Sequence, residues 1–263
     1  MNKPIFGTKE WASSNENIQF GCQHNCLYCY AKSMSIRHKK IDINRWNKPI
    51  LRQEKLNKKI GKRSGTIMFP TTHDLHPEQL PAIMSFIEKL LIPGNQILLV
   101  SKPHVEVIRE ICERFTRYKD QILFRFSIGS TDAETLQFWE PNAPTITERL
   151  CALSLAHSAG YQTSISAEPM LDDTIDDLIK RTKPYVTDAI WIGKMNDYQR
   201  RLKINRVDNQ VSKEMLGNLT SWYSDKNILS LYERYSDDPM IKWKDSIKKV
   251  IGLKTPAEIG LDI

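Results

Sequence analysis

The sequence predicts an α/β protein, a partial (β/α)6 barrel with a helical C-terminal extension. Three observations carry that prediction. Between about residue 17 and residue 196, short β-prone runs alternate six times with stretches of helical spacing, the pattern of a parallel sheet with right-handed crossovers. Ile97 to Val100 is apolar throughout, as a strand covered on both faces should be. From about residue 209 to residue 263 the chain turns charged and helical, and the two further units of an eightfold barrel are not evident.

Asn17 to Phe20 reads as a short first strand, delivering the chain into a cysteine loop, and a helix opens from Tyr30 to Arg37. A basic connector follows. Gly65 to Pro70 is the second strand, with turn residues at both ends, and the helix near Pro77 to Leu91 sets Ala82, Ile83, Phe86, Ile87 and Leu90 at helical spacing. The third strand, Ile97 to Val100, leads through Ser101-Lys102-Pro103-His104 to an amphipathic helix ending near Tyr118. Ile122 to Ile128 is the fourth strand, and Thr145-x-x-Glu148 announces the helix to Ser158 by a capping box. Gly160 ends it, Tyr161 to Ala167 and Ala189 to Ile192 are the last two strands, and Thr174 to Thr182 is the helix between them. The tail, from about Ser212 to Lys249, reads as helical throughout, and no linker or repeat divides the chain, so a single domain over residues 1–263 is expected.

Composition narrows the class. Of 263 residues 40% are hydrophobic and 26% charged, which fits a globular protein and excludes wholesale disorder. No run approaches the roughly 18 apolar residues of a membrane span, and the N-terminus lacks a secretory core; a cytoplasmic protein without a membrane partner is expected. The net charge of +7, with basic residues gathered between Arg37 and Arg63, is compatible with a DNA or RNA substrate, because Lys and Arg gain from counterion release. The plain reading of that stretch is a solvated connector.

Cys22, Cys26 and Cys29 stand in Gly21-Cys22-Gln23-His24-Asn25-Cys26-Leu27-Tyr28-Cys29, spaced C-x3-C-x2-C. Cubane iron–sulfur clusters are normally held by four thiolates, so three in one loop suggest a cluster with one iron left open. Structural zinc, with His24 as fourth ligand, is the alternative. Cys112 and Cys151 lie far off in helical sequence, and two thiols do not hold a second cubane.

The spacing, with the aromatic Tyr28 just before the last cysteine, resembles the signature of the radical S-adenosylmethionine (SAM) enzymes. Residues of about 17–196 also resemble the spore photoproduct lyase group in Leu99-Val100-Ser101-Lys102-Pro103-His104, Arg125-Phe126-Ser127-Ile128 and Trp139-Glu140-Pro141-Asn142-Ala143-Pro144 leading to Glu148-Arg149-Leu150. The resemblance implies a [4Fe-4S] cluster on Cys22, Cys26 and Cys29, S-adenosyl-L-methionine as cosubstrate, and a reducing partner such as flavodoxin or ferredoxin. It places Tyr28 near the adenine and Lys102 and Ser127 on the cosubstrate. Arg149 is expected at the methionyl carboxylate, since guanidinium recognises carboxylate bidentately; its plain reading is a helix-surface arginine paired with an acid. One departure matters. The hydrogen-donating cysteine of the lyases falls near Thr72 in this chain, and a hydroxyl holds its hydrogen too tightly to replace a thiol.

Barrel sites collect at the carboxyl ends of strands. His73, Asp74 and Glu168 are therefore catalytic candidates, with Lys194 and Asn196 beside them. Each has a plain reading: a satisfied imidazole for His73, a helix cap for Asp74, a solvated amine for Lys194. The expected function is a radical SAM enzyme acting on nucleic acid or a nucleotide, against peptide or small-molecule modification, or a non-enzymatic zinc- or cluster-stabilised nucleic-acid-binding protein.

Overall fold

The computed structural model describes residue 5, residues 7–256 and residues 258–260. Seven strands form one wholly parallel sheet: β1 (Ser14–Asn15), β4 (Thr66–Phe69), β5 (Gln96–Ser101), β6 (Ile122–Ser127), β7 (Gln162–Ala167), β8 (Ile190–Ile192) and β9 (Ile241–Trp243), in that spatial order. A two-residue antiparallel ribbon, β2 (Gln19–Phe20) with β3 (Ile50–Leu51), stands apart. The helices are α1 (Tyr30–Arg37), α2 (Gln53–Leu56), α3 (Leu80–Leu91), α4 (Val105–Arg114), α5 (Ala133–Trp139), α6 (Ile146–Ser158), α7 (Ile175–Thr182), α8 (Tyr198–Ile204), α9 (Lys213–Trp222), α10 (Asp225–Tyr235) and α11 (Asp245–Ile251).

The sheet is open, with β1 and β9 at its edges, and the architecture is a partial barrel. Strand side chains alternate between two environments. Phe69, Leu99, Phe126 and Ala167 join the main apolar core, together with Ile83, Phe86 and Ile87 of α3 and Val107, Ile108 and Ile111 of α4. Met68, Val100, Ser127 and Ser166 face the barrel interior, where they line a cavity. The N-cap half of the expected capping box at α6 forms, with Thr145 Oγ1 accepting the Glu148 N–H at 3.3 Å, while the Glu148 carboxylate turns to the Val105 N–H at 3.2 Å.

Two expectations are corrected. The first sheet strand is Ser14–Asn15, paired with Ile67 and Met68, and Gln19–Phe20 belongs to the separate ribbon. A polar two-residue strand carries no alternation to detect, whereas the next apolar pair does. The tail is not helical throughout, because Ile241–Trp243 adds β9 to β8. That strand restores the sheet edge and turns the chain back: Lys244, just after β9, is fully buried and bonds Glu10, just before β1, at 2.9 Å.

Candidate functional site

A cavity of about 480 Å³ opens at the carboxyl ends of the strands. The cysteine loop forms one wall, and its path is fixed by backbone contacts together with the packing of Cys26, Leu27 and Tyr28 into the main core. Gly21 takes φ +91°, and a Cβ there would stand 2.5 Å from the Trp46 carbonyl. That same carbonyl accepts the Cys22 N–H at 2.9 Å. Asn25 also sits in the left-handed region, at φ 51°, a conformation its short polar side chain tolerates. Leu27 donates to the Trp139 carbonyl at 2.9 Å. From α8's C-terminal end, the Asn205 amide donates to the carbonyls of Leu27 (2.9 Å) and Cys29 (3.1 Å), holding the loop's far end. Cys29 caps α1, its sulfur accepting the Lys32 N–H at 3.4 Å.

All three thiols line the cavity, and none is in a disulfide. Burial pushes each of them up from the ordinary thiol range; the Asp74 carboxylate adds to this at Cys22, and the Lys102 ammonium opposes it at Cys26 and Cys29. A bound cation reverses that logic and deprotonates them. His24 is not turned toward the sulfurs of Cys26 and Cys29 as a fourth zinc ligand. Its Nδ1 pairs with Asp74 Oδ2 and its Nε2 with His104 Nε2, both at 2.9 Å.

Lys102 and Asp74 form the floor. Lys102 Nζ lies 3.7 Å from Asp74 Oδ2, 3.8 Å from Glu140 Oε1 and 5.9 Å from the centre of the Tyr28 ring. Burial pushes the Asp74 carboxyl up, but the Lys102 and His24 contacts outweigh it and hold the group well below the usual carboxylate range. Tyr28 lines the cavity and sends its hydroxyl to Glu140. Ser127, Glu168, Lys194 and Asn196 all line the cavity. Burial pushes the Glu168 carboxyl up, opposed by Lys244, whose ammonium stands 3.7 Å away.

His73 also lines the cavity, in the state of its plain reading. Its Nε2 accepts the Ile18 N–H at 3.2 Å and its Nδ1 faces the Asp74 carbonyl at 3.0 Å, so both nitrogens serve the backbone; burial lowers it to about 4. Arg149 is a correction. It is fully buried behind the wall, 2.5 Å from Glu140 Oε2, and donates to the carbonyls of Pro144 (2.8 Å) and Ser127 (3.2 Å). With a buried carboxylate already opposite it, the guanidinium props the strand that carries Ser127.

Sequence reading missed several wall residues. Tyr30 bonds the Thr71 carbonyl, Arg201 lies 5.9 Å from the Tyr30 ring, and Asp245 closes the far side. Arg201 comes from α8 and Asp245 from the tail, where no motif marks them; Tyr30's position directly after Cys29 was the available signal.

Residues 17–183 match the Radical SAM superfamily. An uncharacterized protein, ORF301, of Acidianus two-tailed virus is 25% identical over 59% of this chain and 54% of its own length, so the chain spans about half of that relative. An uncharacterized protein, MJ0683, of Methanocaldococcus jannaschii is 24% identical over 92% of both chains. Among solved structures, spore photoproduct lyase complexed with dinucleoside spore photoproduct aligns with TM-score 0.52 at 15% identity, over 74% of this chain and 60% of that one. Streptococcus suis SuiB bound to precursor peptide SuiA aligns with TM-score 0.53 at 10% identity, over 92% of this chain and 51% of that one. These two likenesses establish the fold.

Proposed function

Because the chain belongs to the radical SAM superfamily, we propose that Cys22, Cys26 and Cys29 hold a [4Fe-4S] cluster and that S-adenosyl-L-methionine binds in the adjoining cavity. The observation that carries this reading is the convergence of the three thiols, Tyr28, Lys102 and Ser127 on one cavity. The donor set fits the group, since His24 is committed to Asp74 and His104 and three thiols remain for a cluster with one open iron. A cluster held by Cys22, Cys26 and Cys29 would supply the single electron needed for reductive cleavage of the cosubstrate's sulfonium, the step that prepares hydrogen abstraction from a substrate.

The protein's own residues prepare that event. Lys102 brings a buried positive charge to the thiolate side, and burial of Cys22 and Cys26 keeps water from the sulfurs. Tyr28, fixed by Glu140, offers an aromatic wall for the adenine, and Ser127, fixed from behind by Arg149, offers a hydroxyl. A flavodoxin or ferredoxin is the reductant in this reading. Anaerobic protein should carry about four irons per chain and release 5′-deoxyadenosine on reduction with cosubstrate. A colourless protein with one zinc and no cleavage would sink the proposal.

A nucleic-acid or nucleotide substrate is the reading for the rest of the cavity. Tyr30 and Arg201 offer an aromatic ring and a guanidinium at its wall, a pairing that suits a stacked base. Along the connector Lys39, Lys40, Lys48, Lys58 and Lys59 are exposed, while Arg63 and Lys55 are spent on Glu16. Binding of DNA or RNA should fall steeply with ionic strength; no binding at low salt would leave the peptide reading in its place.

A further inference from the structure

We propose that His24, His76 and His104 form a second metal site, for a divalent transition metal of the Zn²⁺ class, separate from the cysteines. The three imidazoles come from different segments: His24 from the cysteine loop, His76 from the turn after β4, and His104 from the start of α4. Their ligand nitrogens all lie within 4.8 Å of one another. Ring centres are 5.7, 5.1 and 4.9 Å apart, and the planes are tilted or edge-on rather than stacked.

The tautomers carry the argument. Two of the three Nδ1 atoms face a carboxylate, His24 with Asp74 at 2.9 Å and His104 with Glu148 at 3.3 Å; His76 Nδ1 accepts the Glu78 backbone N–H at 3.3 Å, and to ligate through Nε2 it must exchange that bond for one to the Glu78 carboxylate, 4.0 Å away. At His24 and His104 a carboxylate behind Nδ1 keeps the proton there and leaves the lone pair on Nε2, the arrangement that supports metal-binding histidines. Yet Nε2 of His24 and Nε2 of His104 face each other at 2.9 Å. Two lone pairs at that distance repel unless a cation lies between them. Tetrahedral zinc, with Zn–N of about 2.0 to 2.1 Å, needs nitrogens about 3.3 Å apart, so the two rings would part by only a few tenths of an ångström. His24 is fully buried while the side chains of His76 and His104 keep 17% and 16% of their exposure, which leaves an approach for the ion and for water as fourth ligand. A second trio, Cys22, His24 and Asp74, shares His24 but needs a thiol assigned to the cluster. Metal at the three histidines would tie the loop between Cys22 and Cys26 to the ends of β4 and β5, and it stands whether or not the cysteines carry iron.

The test uses full-length, anaerobically reconstituted protein equilibrated with Zn²⁺, with zinc and iron counted in the same sample and the zinc environment read by X-ray absorption. Expected is about one zinc per chain with a nitrogen/oxygen shell near 2.0 Å, retained when Cys22, Cys26 and Cys29 are all changed to Ala. His76→Ala and His104→Ala should each weaken zinc binding more than tenfold. Glu148→Gln, which leaves the three rings in place, should weaken it about 10- to 100-fold, and it decides the matter if the histidine variants do not fold. No zinc retained, zinc with a sulfur shell, zinc lost with the cysteines, or zinc indifferent to Glu148→Gln would each overturn the proposal; the first would mean that a shared proton bridges His24 and His104.

Discussion

Asp74 holds Lys102 at both ends. Its Oδ1 accepts the Lys102 backbone N–H at 2.8 Å, and its Oδ2 faces the same residue's ammonium at 3.7 Å, with His24 at 2.9 Å and Ser101 Oγ at 3.2 Å completing the shell. The carboxylate therefore orients the lysine that reaches the cavity. Asp74→Ala should destabilise the fold by about 3 to 5 kcal/mol, the cost of leaving a buried partner charge uncompensated, as read by urea denaturation of the apo protein. Asp74→Asn keeps an acceptor for the Lys102 N–H and should lose less. Equal losses in the two variants would show that the charge, and not the backbone bond, sets the geometry.

Arg149 and Glu140 should behave as a structural pair. Both are nearly inaccessible, and Glu140 also takes the Tyr28 hydroxyl. A double-mutant cycle of Arg149→Met with Glu140→Gln should return a coupling of about 1 to 3 kcal/mol in stability. An arginine that served the cosubstrate carboxylate would instead show no coupling to Glu140 in stability and a loss of cosubstrate affinity in the folded variant.

The barrel was legible wherever periodicity was long enough to count. Ile97 to Leu99 and the α3 face of Ile83, Phe86 and Ile87 bury as their spacing says, while Val100 turns to the cavity. The cavity's near wall was legible too, because Cys22, Cys26, Cys29 and Lys102 lie in contiguous motifs. What stayed hidden depends on long-range closure. Ser14–Asn15 and Ile241–Trp243 are short strands whose pairing is specified by the rest of the sheet, and the fully buried Lys244 reads in sequence as one more lysine of a charged tail. Its environment, Glu10 at 2.9 Å and the Trp11 ring at 4.2 Å, is assembled from opposite ends of the chain. The three histidines were invisible as a set for the same reason, since only the fold brings residues 24, 76 and 104 together.

Glu16 should govern part of the acid sensitivity. Burial pushes its carboxyl up, but the Arg63 hydrogen bond at 2.6 Å and the Lys55 and Arg63 charges outweigh that and hold it below the ordinary range. The unfolded chain, with a glutamate near pH 4.3, thus binds a proton before the folded one does. Its stabilisation is complete above the unfolded value and is lost as pH falls through the folded one. In Glu16→Gln, the slope of unfolding free energy against pH should flatten below about pH 5. An unchanged slope would mean that the pair with Arg63 does not persist in solution.

Gly21 tests whether the loop's path is needed for the cluster. Any side chain there meets two separate obstacles, the left-handed φ of +91° and the Trp46 carbonyl, 2.5 Å from the new Cβ. Gly252 separates them. It has φ +75° and nothing within 4 Å of a Cβ, so Gly252→Ala carries the backbone term alone, about 1 to 2 kcal/mol. Gly21→Ala should lose at least that in stability, and it should also bind less iron, because the Trp46 carbonyl that must give way is the acceptor for the Cys22 N–H. Trp46 is buried at 1% exposure, which leaves its backbone little room to retreat. Iron per chain and the visible absorbance after reconstitution are the readouts. If Gly21→Ala matches Gly252→Ala in stability and takes up full iron, the Trp46 contact does not position Cys22.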